Sequence, residues 1–332
     1  MPSFRTGIVT EIVATRAALQ RVLVDLGSGP EPAFVLTEII GTVATGDRVV
    51  VNTTAVELGL GTGGSHIVHW NLARDSWRSD SVGHVMKMRY ASGQVDVDAP
   101  GSELMSISGT PVVVAGLHSQ VAAVAVAFKD ARPDARLAYV MTDGGALPIA
   151  LSDLVCELRA GGLIDVTVTA GHAFGGDVEA VSIYDALAIA SEQADAIVVA
   201  MGPGGAGTGT ALGFSAIEVG NALDAAATLG GNPIAVLRAS ARDPRARHQG
   251  LSHHSETALT LATRATVTVP TPPGVQWTHP GHSAVPVENV GIAARFAERG
   301  LSVESMGRPA AEDPLLFECG AAAGVLAARA VP

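Results

Sequence analysis

Ala196-Ile-Val-Val-Ala-Met-Gly-Pro-Gly-Gly-Ala-Gly-Thr-Gly-Thr210 is the stretch on which the reading of this chain turns. Six apolar residues without alternation form a strand buried on both faces, the habit of a parallel sheet. At Gly202 the run gives way to a glycine-rich turn. Similar runs occur at Pro111–Ala115, Arg136–Met141, Asp165–Thr169, Pro233–Leu237 and Thr266–Val269. Helical stretches are expected between them at Ala146–Arg159, Ile183–Gln193, Thr210–Leu229 and His254–Thr263. A further strand and helix follow at Leu301–Ser305 and Leu315–Arg329. Strand alternating with helix predicts an α/β, Rossmann-like, mostly parallel sheet with helices on both faces.

Upstream the pattern differs. Gly7–Val13 and Gln20–Leu26 alternate apolar and polar residues, as half-buried strands do. A turn and strand follow over Thr42–Asn52, and Gly83–Tyr90 alternates again, with Lys87 and Arg89 on one face. Short strands joined by glycine-rich turns predict a small all-β barrel or sandwich. The expected division is residues 1–103 and 104–332, with a linker over Asp96–Gly109. The glycines of Asn52–Gly64 suggest a flexible loop able to act as a lid or a docking segment.

The 332 residues are 48% hydrophobic with a mean hydropathy of +0.33, enough for a sizeable core. Only 16% are charged, below the usual quarter, which predicts a homo-oligomer, a dimer first. A net charge of −11 argues against nucleic acid or an anionic membrane as a general partner. The opening residues lack a basic and then apolar leader, and no apolar run reads as a membrane span. The expected location is cytoplasmic. Cys156 and Cys319 are too far apart in sequence to suggest a disulfide framework or a metal motif.

In a parallel sheet, ligands bind beyond the carboxyl ends of the strands. After the first strand comes His118, after the second Asp143, and after the third His172, Asp177 and Glu179. The fourth leads into Gly202, Gly204, Gly205, Gly207, Thr208, Gly209 and Thr210. The fifth leads into Arg238, Arg242, Asp243, Arg245, Arg247, His248, His253 and His254. Five of the ten histidines lie on these turns. The glycine loop, read as opening a helix, lets backbone N–H groups approach an anion. The alternative is a tight turn packing helix on sheet. Arginine binds phosphate or carboxylate bidentately, so the four arginines are candidate anion ligands, with Asp243 able to pair with one of them and a solvated or inter-subunit salt-bridge network as the alternative.

Gly202, Gly204 and Gly207 satisfy GxGxxG, but the loop follows a late strand. The next strand ends near Arg238, where no carboxylate waits for a ribose. That argues against NAD(P). Catalytic candidates are His172, His248, His253, Asp143 and Asp177, since histidine titrates near neutrality and a carboxylate can orient it. A divalent metal among His118, His172, Asp177, His248 and His254 is a further option. Adjacent residues point apart on a helix, so His248 is expected to pair with only one of His253 and His254.

Several strings together are distinctive: Asn52-Thr-Thr-Ala with Gly59-Leu-Gly-Thr-Gly-Gly64, Gly83-His-Val-Met-Lys-Met-Arg-Tyr90, Tyr139-Val-Met-Thr-Asp-Gly-Gly-Ala-Leu-Pro148, Gly171-His-Ala-Phe-Gly-Gly-Asp177, Met201-Gly-Pro-Gly with Gly207-Thr-Gly-Thr210, Arg245-Ala-Arg-His248 and Ser252-His-His254. In these the chain resembles an uncharacterised bacterial family, domain of unknown function 3866, from the first strands to about Pro270. The resemblance implies an actinobacterial, cytoplasmic origin and one continuous architecture, and it assigns no catalytic residue. The functional expectation rests on the rim residues: an enzyme, hydrolase or transferase, binding a small anionic and phosphorylated molecule. A nucleotide- or metabolite-binding protein without catalysis and a metal-dependent hydrolase are the alternatives.

Overall fold

The computed structural model describes residues 1–332. The chain forms two compact units, Met1–Asp98 and Ala99–Pro332. Most of the stretch expected as a linker is held by the second unit: Ser102 N–H donates to Asp185 and Ile107 N–H to the Leu229 carbonyl.

In the first unit β1 (Phe4–Arg16), β2 (Leu19–Asp25), β3 (Pro30–Leu36), β4 (Arg48–Asn52) and β5 (His66–Asn71) close into a barrel in the order β1-β2-β3-β5-β4. One-turn helices α1 (Thr37–Ile40) and α2 (Thr54–Glu57) punctuate it. Val9, Val22, Val24, Val35, Val49, Val51 and Val68 fill the interior, every second residue of their strands, as a period of two demands. A separate ribbon pairs β6 (Val85–Lys87) with β7 (Val95–Val97). The strand expected over Gly83–Tyr90 shrinks to β6 because Met88 and Tyr90 adopt left-handed φ of +50° and +65°. Lys87, expected on a surface face, is buried.

The second unit is one eight-stranded sheet: β8 (Pro111–Val114), β9 (Leu137–Thr142), β10 (Val166–Ala170), β11 (Val178–Ala180), β12 (Ala196–Met201), β13 (Asn232–Ala235), then, beyond the two-residue pair β14 (Ala239–Ser240) and β15 (Gly250–Leu251), β16 (Thr268–Thr271) and β17 (Ser283–Pro286). The order is β11-β10-β9-β12-β8-β13-β16-β17, and every neighbouring pair runs parallel. Helices α3 (Gln120–Ala131), α8 (Ile292–Glu298) and α9 (Pro314–Ala330) pack together on one face, and α5 (Ile183–Gln193) packs on α6 (Val219–Thr228) over the other. The remaining helices are α4 (Asp153–Ala160) and α7 (His253–Thr257), which runs on as a π-helical turn over Ala258–Ala262 where a helix is expected over His254–Thr263. No helix is long and apolar enough to cross a membrane.

Two expected helices begin later than their periodicity suggests. Pro148 and a 3₁₀ turn at Ile149–Leu151 precede α4, which starts where the Ser152 hydroxyl accepts the Val155 N–H at 3.1 Å. The glycine loop does not open a helix directly. Thr208 N–H donates to Gly213 O at 2.7 Å and Ser215 N–H to Ala206 O at 2.9 Å, so the loop folds back on itself. The 3₁₀ turn Ser215–Glu218 and then α6 follow. The helix-terminus part of the anion argument is thereby removed.

Candidate functional site

His172, Gly204 and His248 follow β10, β12 and β13. Because these strands are parallel members of one sheet, all three residues stand at its carboxyl rim. β9 leads outward to β10, while its neighbour β12 leads back across the sheet to β13. Connections that part in this way open a crevice at the strand ends.

On one side of the crevice Thr142 donates its hydroxyl to Glu218, and the His172 N–H donates to Asp143 Oδ2 at 3.1 Å. Gly171 has φ +65°, and a Cβ there would sit 2.3 Å from Asp143 Oδ2. The turn therefore needs glycine twice over, for its backbone conformation and for the carboxylate against it. Thr142, Asp143, Gly171, Ser182, Glu218 and Asn221 line a cleft of about 220 Å³. Burial pushes the Glu218 carboxyl above its usual range; the Thr142 hydrogen bond opposes this and the Asp143 charge adds to it. Glu218 lies in a mostly apolar stretch and was not among the residues expected from sequence.

On the other side, the antiparallel pairing of β14 with β15 folds residues 241–249 into an excursion and returns the chain beside Arg238. Ser252 N–H donates to the Arg238 carbonyl at 2.8 Å. The Ser252 hydroxyl caps α7 by accepting the His254 N–H at 3.2 Å. It also contacts His248 Nδ1 at 2.7 Å. Rings of His248, His253 and His254 meet with centroids 4.4–5.0 Å apart. One ring nitrogen of each lies within 4.8 Å of the other two. This corrects the expectation that adjacent histidines diverge. At the first two positions of a helix no preceding turn constrains the side chains, and both rings turn toward His248.

Phe214, from the end of the glycine loop, stacks on His254 at 3.9 Å with planes 4° apart and meets His253 edge-on at 5.9 Å. Burial, then the neighbouring cations, pushes His248 down to about 4 and His254 to about 3. His253 is lowered for the same reasons. His248 and His254 are neutral at pH 7.

The four arginines divide. Asp243, 1% exposed, takes Arg245 at 2.7 Å, Arg308 at 3.4 Å and Arg238 at 3.5 Å. Arg245 holds its carboxyl far below the usual range. Burial lowers Arg238 to about 10. Arg238 and Arg245 are thus paired within the chain, although three guanidiniums share Asp243. Arg242 and Arg247 are exposed and enter no ion pair. The Arg247 guanidinium lies 3.7 Å from where a Cβ on Gly209 would be. The flanking Thr208 and Thr210 hydroxyls bond each other at 2.9 Å.

Two candidates stand apart. His118 contacts Ser152 Oγ at 2.7 Å and Tyr139 Oη at 3.1 Å, and burial lowers it to about 4. Its ring nitrogens are committed to those hydroxyls. Asp177 pairs with Arg159 at 2.7 Å and accepts from Thr167 N–H at 2.8 Å. β11 runs level with β10 from Val168 against Val178, which puts Asp177 beside the early residues of β10 and away from the rim. A metal centre combining Asp177, His172 and the fifth-strand histidines is not assembled. A larger hollow of about 710 Å³ lies against Pro272–Trp277 and Pro286–Glu288, walled mainly by apolar groups and holding none of the candidates.

A family model described as protein of unknown function (DUF3866) matches residues 32–324. The chain belongs to this family. The DUF3866 match runs past Pro270 through α8 and most of α9, so the helical layer under the sheet is part of the shared architecture. It also takes in every rim residue of this family member named above. No curated protein and no solved structure matches the chain.

Proposed function

We propose that this DUF3866 chain is an enzyme, a hydrolase or transferase, acting on a small anionic, phosphorylated molecule at the carboxyl rim of its parallel sheet. The observation that carries the reading is the meeting of Arg247 with the Gly209 loop, next in the chain to the first histidine of the cluster. An unpaired guanidinium against a side-chain-free stretch of backbone suits an oxyanion such as a phosphate. Glu218, its carboxyl raised above the usual range by burial, stands near Asp143, whose charge contributes to that shift. A carboxyl raised in this way suits an acid role. The turn Ser215–Glu218 links the two halves, with Phe214 against the histidines and Glu218 against the cleft.

The test is a thermal-shift screen with nucleotides and sugar phosphates. A ligand at a hundred times its Kd adds about 2.7 kcal/mol to stability. Arg247→Ala is expected to weaken a responding ligand by roughly tenfold to a hundredfold, the range of a hydrogen bond to a charged group. Glu218→Gln is expected to leave that binding intact and abolish turnover. No stabilisation by any phosphorylated compound would sink the reading. Unchanged turnover in Glu218→Gln would leave a binding protein without catalysis.

A further inference from the structure

We infer that His248, His253 and His254 hold one divalent transition-metal ion. The inference goes beyond the proposed function and does not need it. Three imidazoles from two short elements converge, with a ring nitrogen of each within 4.8 Å of the others. In a tetrahedral site with metal–nitrogen bonds of about 2.0–2.1 Å, the nitrogens stand roughly 3.3 Å apart. Small side-chain rotations about an ion close the difference.

The surroundings are those of ligands and not of packed core histidines. His248 has its Nδ1 fixed by Ser252 Oγ at 2.7 Å, which leaves Nε2 to face the cluster, the outer-shell arrangement that orients metal-binding histidines. His253 Nε2 is buried without any hydrogen-bond partner. Such a nitrogen costs about 1–3 kcal/mol if it stays unsatisfied, and an ion supplies its partner. His254 is held in plane by Phe214 at 3.9 Å. Arg238 Nη1 donates to its Nδ1 at 3.2 Å, so this ring offers Nε2. Ligation there takes the Nδ1–H tautomer of the neutral ring, the proton passing from Nε2 to Nδ1 and the Arg238 hydrogen bond giving way to the bond to the ion.

The chemistry narrows the ion. Three imidazoles without a carboxylate select zinc, cobalt, nickel or copper over magnesium or calcium. Arg238 stands 3.2 Å from His254 Nδ1, and it shares Asp243 with Arg245 and Arg308. In that positive setting the ion's remaining position takes an anion, either hydroxide or an oxyanion reaching over from Arg247.

The test uses the full chain without an affinity tag. Titration with Co²⁺ alone is expected to give one bound ion per chain with the d–d absorption of a four-coordinate site, displaced by Zn²⁺ and not by Mg²⁺. His253→Gln and His248→Gln should each weaken binding by more than the roughly 10–100-fold that an outer-shell partner costs. Melting curves confirm that the variants remain folded. Should neither fold, imidazole ¹⁵N spectra of the wild type decide: one equivalent of Zn²⁺ must move three of the ten histidines. Absence of saturable binding, wild-type affinity in folded variants, or Zn²⁺ shifts at fewer than three rings would each overturn the site.

Discussion

Asp243 shows how a single residue makes the arginine-rich turn tolerable. It is 1% exposed and is the only carboxylate that meets Arg238, Arg245 and Arg308 together. A charge so placed is expensive to remove alone, because its buried partners stay behind. Asp243→Asn is therefore expected to lose about 3–5 kcal/mol in denaturant unfolding. A loss below 1 kcal/mol would mean that solvent already neutralises Arg238.

Histidines give the same scale a pH signature. Folding lowers His118 from 6.5 to about 4, His248 to about 4 and His254 to about 3. Each lowered value means that the unfolded chain binds the proton first. Their contribution is complete above about pH 6.5, then drains as pH falls toward 4. With chelator present, urea midpoints are expected to be level above that point and to fall steeply below it. A level profile down to pH 4 would contradict the burial of these rings. None of this was legible from the residue types. Ser252-His-His254 announces a capped helix start, but ring convergence depends on the β14–β15 pairing, which residue spacing does not express.

Elements were legible where burial is uniform or caps are strong. β8 and β12 stand out because nothing polar interrupts them. α5 begins where Ser182 accepts the Asp185 N–H at 3.3 Å, and its expected bounds match. Helix starts were misplaced at Pro148 and around Gly213, where loop hydrogen bonds compete with helical ones. α3 carries no amphipathic period, since Val121 to Phe128 are all buried between α9 and the sheet. The close fit of α3 and α9 supplies the test at this scale. A Cβ on Gly324 would stand 2.3 Å from the Val124 carbonyl oxygen and 3.1 Å from Ala127 Cβ. Gly324→Ala removes a flexible residue from a helix, which alone would stabilise it by roughly 0.5–1 kcal/mol. The backbone oxygen cannot retreat, however, and overpacking costs about 1–3 kcal/mol. The net expectation is a fall in Tm of a few degrees, read by calorimetry. A rise would mean that the two helices can separate without loss.

For the whole molecule, the low charge content asks what covers the remaining apolar surface. In the barrel, β1 exposes Phe4, Ile8 and Val13 at 49%, 42% and 54%. Past Ile8, β1 pairs with β2 alone, so its other side offers backbone groups over Glu11–Arg16. An open strand edge with exposed apolar side chains invites a second copy, and the charges of Glu11 and Arg16 only partly blunt it. A C2 dimer would set two β1 edges against each other, with each residue facing its counterpart's surroundings. Sedimentation equilibrium at micromolar concentration is expected to give a homodimer. Val13→Lys should shift it toward monomer without changing the melting of the α/β unit, because like charges placed opposite one another oppose strand pairing. A wild-type monomer throughout that range would show that the apolar strip of β1 is tolerated in water. A dimer indifferent to Val13→Lys would move the interface away from this edge.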